Sequence, residues 1–151
     1  MQWRRLQALV QPGYTGTESA YLVRLEGVSH NTAETGLTAI VGKMLATNLF
    51  HAANKLFESG GLPLDGLVEN ERVIRLSLIQ LAALWLIYPE YDIKHASDFL
   101  IIARPSVINS LTDARKTLGV HNLTQLAPYS FYVHQTYEPP AFDSGGKLYI
   151  R

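Results

Sequence analysis

The segment between Pro105 and Gly119 constrains the fold of this chain more than any other stretch. Its apolar residues follow one another at steps of four, three and four, which places them on one face of a helix. Pro105 suits the first turn of that helix, because its missing N–H would have no intrahelical partner there and its φ is already helical. Gly119 can turn left-handed, as is typical of a helix C-terminus. The pattern predicts an amphipathic helix whose buried face consists of Val107, Leu111, Ala114 and Leu118.

The opposite face of this helix combines short polar side chains with three cations. Such a mixture suits a helix in a DNA groove, because amides and hydroxyls can address base edges while arginine and lysine can contact phosphates. We expect Asn109, Thr112 and Asp113 to face bases. We expect phosphates or guanine edges to be contacted by Arg104, Ser106, Arg115 and Lys116.

Short motifs surround this helix in a fixed order. They are Leu76-Ser77, which opens a helix, Leu100-Ile101-Ile102-Ala103 before a tight turn, Ser106-Val107-Ile108-Asn109-Ser110-Leu111, Thr117-Leu118-Gly119-Val120 and Asn122-Leu123-Thr124. In the order of these motifs, residues 76–127, about a third of the chain, resemble the four-helix DNA-binding domain of the LuxR/GerE family. The segment and the family pattern align without a gap. The family has Leu-Thr, Leu-x-Ile-Ser, Thr-Val-Lys-x-His-Leu, Lys-Leu-Gly-Val and Asn-Arg-Thr at these places. The resemblance implies a helix-turn-helix that binds double-stranded DNA as a homodimer, with the recognition helix, 106–118, in the major groove.

The segment also departs from the family pattern. Ile108 stands where the family has a lysine that contacts phosphate, and Gln80 replaces an acidic residue. Residues 76–127 carry four cations (Lys94, Arg104, Arg115, Lys116) and four anions (Glu90, Asp92, Asp98, Asp113). A module whose affinity comes from phosphate neutralisation usually has a positive balance. These departures favour an alternative function, a protein–protein adaptor or anti-activator that binds another transcription regulator.

Composition limits the other possibilities. The chain has 151 residues, of which 47% are hydrophobic and 17% are charged, and this apolar balance indicates self-association. It has no cysteine, which excludes thiol catalysis and zinc–thiolate sites and favours a reduced, cytoplasmic location. The most apolar run, Leu76 to Tyr88, is too short to span a bilayer, so we expect a buried helix and no membrane partner.

Two further elements are predicted before the helix-turn-helix. Alternating apolar and polar residues indicate a strand from Ala20 to Val28. A continuous apolar stripe predicts one long amphipathic helix from Ala33 to Phe57, closed by Gly60. This helix either packs within the protomer or pairs with its twin in a dimer, and the sequence leaves both open.

After Ala127 the pattern changes to strand-like alternation. Tyr129 to Tyr137 and Leu148 to Ile150 predict a hairpin, which the strand at residues 20–28 would extend into a small antiparallel sheet. The predicted fold is therefore α+β and mainly α. Its parts are an N-terminal strand and long helix (1–67), a LuxR-like domain (68–127) and a C-terminal hairpin extension (128–151).

Catalytic chemistry has little support in the sequence. The five histidines share no metal-binding spacing, and no phosphate loop, dinucleotide fingerprint or nucleophile elbow occurs. We therefore predict no catalytic residue, no metal and no cofactor. The predicted function is a cytoplasmic, DNA-binding transcriptional regulator of bacterial or mobile-element type.

Overall fold

A computed structural model describes residues 2–151, except for the side chain of residue 2, so Met1 of the predicted first part lies outside the described residues. Over this range the chain forms nine helices and one two-stranded sheet. The helices are α1 (Gln2–Leu9), α2 (Glu18–Glu26), α3 (His30–Lys43), α4 (Leu49–Ser59), α5 (Asn70–Val73), α6 (Leu78–Leu86), α7 (Ile93–Leu100), α8 (Arg104–Leu118) and α9 (Leu123–Thr136); the strands are β1 (Ala141–Phe142) and β2 (Leu148–Tyr149). The predicted class, α+β and mainly α, is confirmed.

The helices at both ends of the predicted helix-turn-helix begin at side-chain caps. Ser77 precedes α6, and its hydroxyl accepts from the Gln80 N–H while the Gln80 side chain accepts from the Ser77 N–H. Asn122 precedes α9 and accepts from the Gln125 N–H at 2.9 Å. Such caps satisfy N–H groups that have no partner inside the helix, which fixes where each helix starts.

The recognition helix follows the sequence prediction, and α7, the helix before it, begins at a side-chain cap. Asp92 caps α7 by accepting from the His95 N–H, and Pro105 lies in the first turn of α8. Gly119 ends α8 with a φ of 70°, in the left-handed region. The four residues of the predicted apolar face, Val107, Leu111, Ala114 and Leu118, are all buried.

The strand predicted between Ala20 and Val28 is wrong, because these residues belong mostly to α2. The Thr17 hydroxyl accepts from the Ala20 N–H, which starts the helix, and Gly27 ends it with a φ of 68°. Tyr21, Val23 and Leu25 suggested alternation, yet Leu22 is the apolar residue that α2 buries, with Ser19 one turn before it. The capping residue Thr17 and the terminal Gly27 favour a helix more strongly than the alternation of apolar and polar residues favours a strand.

The single long helix predicted from Ala33 to Phe57 is also wrong. The chain leaves the helical path after Lys43, takes a left-handed conformation at Leu45 (φ 51°) and restarts at Asn48, which accepts from the His51 N–H. The break re-aims α4 so that it packs along α9. The apolar stripe of α4 is buried within the protomer through Phe50, Ala52, Ala53 and Phe57.

The strand predicted from Tyr129 to Tyr137 is helical instead. α9 continues through Pro128 to Thr136, and its residues from Thr124 to Ser130 are buried. The sheet pairs Ala141 with Tyr149 and Phe142 with Leu148 in antiparallel register, so both strands come from the C-terminal segment. The N-terminal segment supplies helices rather than the third strand.

One cluster of buried apolar side chains runs through all three predicted parts. It includes Phe50 of α4, Leu84 of α6 and Val133 of α9, each shielded from solvent. The predicted boundary at residue 127 falls inside α9. The predicted helix-turn-helix therefore shares its core with the rest of the chain.

An aromatic stack lies where α6 meets α9. The His134 ring is stacked between Trp85 and Tyr88, with ring centroids 4.4 Å and 4.2 Å apart. Its Nδ1 atom is buried and has no hydrogen-bond partner within the described residues. Burial lowers the pKa of His134, and the Glu58 carboxylate, which accepts from the Tyr88 hydroxyl, opposes that shift.

This arrangement makes the free energy of unfolding depend on pH. Because the folded state disfavours protonated His134, unfolded chains bind the additional proton as the pH falls below about 6.5, the ordinary histidine pKa. His134→Phe keeps a stacked ring but cannot titrate, so its stability should fall less than that of the wild type between pH 7 and pH 5. Urea unfolding at each pH, with His30→Phe as an exposed control, measures the difference. Parallel pH profiles for the wild type and His134→Phe would contradict it.

Candidate functional site

The face of α8 opposite the core is open to solvent. Six of the seven predicted binding residues lie there exposed, and together with Ile108 they define the α8 flank: Arg104, Ser106, Ile108, Asn109, Thr112, Asp113 and Lys116. The buried face of the same helix packs on α6 and α7. The helix thus presents one continuous polar surface on a fixed support.

Hydrogen bonds at both ends of α8 hold this surface in place. At the start, the Ser106 N–H donates to the Ala103 carbonyl at 2.9 Å. At the end, Arg72 Nη1 donates to the Leu118 carbonyl at 2.8 Å, and the N–H of Gly119 closes the last turn. A surface anchored at both ends is preorganised, which lowers the entropic cost of binding.

The short polar side chains of the flank keep hydrogen-bonding capacity for a partner. Among the described residues, the side chains of Ser106 and Asn109 make no hydrogen bond. The Thr112 hydroxyl donates to the Ile108 carbonyl at 2.9 Å, so only its lone pairs remain as acceptors. The middle of the flank can therefore both donate to a partner and accept from it.

The two cations of the flank lie at its ends, and the anion Asp113 lies one turn before the second of them. Arg104 and Lys116 are exposed and form no ion pair within the part of the chain described, while Lys94 of α7 pairs with Asp98 at 3.1 Å. Lys116 follows Arg104 by twelve positions, which corresponds to about 18 Å along the helix axis. Since the major groove is about 12 Å wide, cations at this spacing can meet phosphates on both sides of it.

Arg115 differs from the other predicted binding residues. Its Nη2 donates to the His121 carbonyl at 2.7 Å, and its Nε is buried without a partner in the described chain. The guanidinium is therefore directed toward the loop after α8 rather than away from the protein. Helical spacing alone could not predict this direction of the Arg115 guanidinium, because the accepting His121 carbonyl belongs to a turn whose path depends on Gly119.

Two isoleucines add an apolar component to the site, of which the helical spacing placed Ile108 on this face but not Ile101. Ile101, in the turn before α8, has a φ of 57° and exposes 84% of its surface, and Ile108 on the flank exposes 47%. A β-branched residue rarely adopts a left-handed backbone, since its side chain crowds the carbonyl. The sequence pattern placed Ile101 in the turn between two helices. It did not predict that the side chain of Ile101 would be exposed beside the α8 flank.

Comparisons with protein families, with curated proteins and with solved structures find nothing that matches this chain. Among the described residues, no three histidine, aspartate or glutamate side chains are grouped so that they could hold a metal ion. Across residues 2–151, every helix is too short or too polar to cross a bilayer.

Proposed function

We propose that this chain is a DNA-binding transcriptional regulator that inserts α8 into the major groove of duplex DNA. The observation that carries the proposal is the α8 flank itself, with the polar groups of Asn109 and Thr112 in the middle, one cation at each end and the carboxylate of Asp113 one turn before Lys116. Asn109 and Thr112 would address base edges, while Arg104 and Lys116 would contact phosphates on either side. The resemblance of residues 76–127 to the LuxR/GerE domain supports the same function.

We further propose that the chain binds as a homodimer in the cytoplasm. Each protomer has a formal net charge of zero, so one copy would gain little from phosphate neutralisation, whereas two copies double the available contacts. The apolar stripe of α4 is covered by α9 and is not the surface we assign to dimerisation. The lack of cysteine is compatible with a reducing compartment.

The double variant Arg104→Ala/Lys116→Ala tests the assigned surface. Its affinity for duplex DNA should fall by about tenfold or more, since it removes two charge-assisted contacts. Since each protomer of the proposed dimer loses two phosphate contacts, the slope of log K against log salt should become shallower by about 1.8 per protomer, or about 3.6 for the dimer. Fluorescence anisotropy with a labelled random-sequence duplex at several salt concentrations measures both quantities.

A matched control removes the same charge from another surface. Lys43→Ala/Lys147→Ala changes two exposed cations on α3 and in the β1–β2 loop, away from α8. Equal DNA affinity of Arg104→Ala/Lys116→Ala and this control would contradict the assignment.

The exposed isoleucines favour a second candidate function, a protein adaptor that uses the same flank. Ile101 and Ile108 offer apolar area beside hydrogen-bonding groups, the composition at the centre of many protein interfaces. In that case the wild-type chain would not bind duplex DNA even at low salt. Substituting both isoleucines with serine would then abolish binding to a regulator partner.

A further inference from the structure

A cleft lies behind the C-terminal end of α8, on the side away from the α8 flank. It has a volume of about 260 Å³, slightly below the usual range for drug-sized ligands, which begins at about 300 Å³. The end of α1, the segment before α5, the end of α8 and the buried side of α9 form its walls. A cleft of this size suits a ligand no larger than an amino acid.

The cleft has an apolar floor. The side chains of Val10, Leu67, Leu118 and Val120 line it and are all buried. A ligand that covers these side chains with its own apolar atoms would gain from removing both surfaces from water. The floor thus selects a ligand with a short hydrocarbon side chain.

The rim of the cleft carries one positive and one negative group side by side. Arg72 Nε and Glu69 Oε2 are 2.6 Å apart; the Arg72 side chain is partly exposed and the Glu69 side chain is exposed. Arg72 also donates Nη1 to the Leu118 carbonyl, which leaves Nη2 for a ligand. An ion of one sign would be attracted by one member of the pair and repelled by the other, whereas a zwitterion can satisfy both.

Tyr129 provides an independent sign of a ligand. Its side chain is 4% exposed and lines the cleft, and its hydroxyl oxygen accepts from the Glu69 N–H at 3.1 Å. The hydroxyl proton has no acceptor among the described residues. The hydroxyl can therefore donate to a ligand that enters the cleft and offers an acceptor.

We propose that this cleft binds a small zwitterion with an apolar side chain, an aliphatic α-amino acid. Its carboxylate accepts from Tyr129 and Arg72, its ammonium group donates to Glu69, and its side chain covers the apolar floor. Because Arg72 caps α8 at Leu118, an occupied cleft is in contact with the end of the proposed recognition helix. The binding site goes beyond the proposed function and does not depend on it.

Isothermal titration calorimetry with L-leucine tests the site. We expect saturable binding, and at least about tenfold weaker binding of 4-methylpentanoate, which lacks the ammonium group, and of 3-methylbutylamine, which lacks the carboxylate. No saturable binding of leucine, or equal binding of either analogue, would overturn the proposal.

Two single substitutions test whether Tyr129 and Glu69 contact the bound amino acid. Tyr129→Phe keeps the ring and removes the donor, so leucine should bind about tenfold more weakly, and Glu69→Gln should have a similar effect. The matched controls are Tyr132→Phe on the same helix and Glu71→Gln on α5, neither of which lines the cleft, and both should bind leucine as the wild type does. Wild-type affinity in both Tyr129→Phe and Glu69→Gln would refute the proposed contacts, whatever the result with DNA.

Discussion

Replacing Phe50 with alanine is expected to lower the free energy of unfolding by about 3–5 kcal/mol. Phe50 is fully buried near the start of α4, and its ring meets Tyr91 edge to face with centroids 5.4 Å apart. The substitution removes both the burial of a large aromatic ring and the packing around it, because neighbouring side chains relax only partly into the cavity. Urea denaturation followed by circular dichroism measures the loss.

Phe142→Ala is the matched control, since Phe142 is 41% exposed and, among the described residues, stacks only on Phe99 at the sheet. It should cost about 1 kcal/mol or less. The loss in Phe50→Ala should also be the same at different protein concentrations, because Phe50 is covered within the protomer. A loss that grows as the concentration rises would show that α4 is buried by a second copy instead.

Replacing Gly119 with alanine is expected to lower the free energy of unfolding by about 2–4 kcal/mol. Roughly 1–2 kcal/mol comes from placing a Cβ atom on a left-handed backbone, here with a φ of 70°. The remainder arises because the new Cβ would collide with the Arg72 guanidinium, which must then give up its hydrogen bond to the Leu118 carbonyl. Thermal and urea unfolding both report the change.

Gly27→Ala separates the two contributions. Gly27 ends α2 with nearly the same φ, 68°, but a Cβ atom there would meet nothing within 4 Å. Its substitution should therefore cost only the backbone part, about 1–2 kcal/mol. Equal losses in the two variants would mean that Arg72 does not hold the end of α8.

The sequence predicted the helical stretches around α8 well because their ends carry local signals. Asp92, Pro105 and Gly119 each act through the backbone of the next few residues, so their effect does not depend on distant parts of the chain. The buried face of α8 followed from spacing for the same reason. Where the determinants are local, the pattern and the structure agree.

The secondary-structure predictions are wrong where tertiary packing, or a weak local signal, determines the structure. The cap at Asn48 was hidden in an apolar stripe that continued across the break between α3 and α4. Pro128 suggested the end of a helix, yet α9 continues past it, with most of its residues buried against the rest of the core. Burial of an entire helix outweighs the hydrogen bond that one proline removes.

For the candidate site, the sequence identified which residues face away from the core but not what each side chain does. Six predicted binding residues are exposed on α8, whereas the guanidinium of Arg115 is held by the His121 carbonyl. The exposure of Ile101 likewise depends on the left-handed turn between α7 and α8. Such details require the path of the loops, which helical periodicity does not contain.

The most direct test of the central claim is to map the contact surface of duplex DNA on the intact chain by amide chemical shifts. A labelled sample titrated with duplex at low salt should show saturable changes along the α8 flank, from Arg104 through Asn109 to Lys116, and these should decrease as salt is added. Changes confined to other surfaces, or none at low salt, would contradict the claim that α8 is the DNA-binding element.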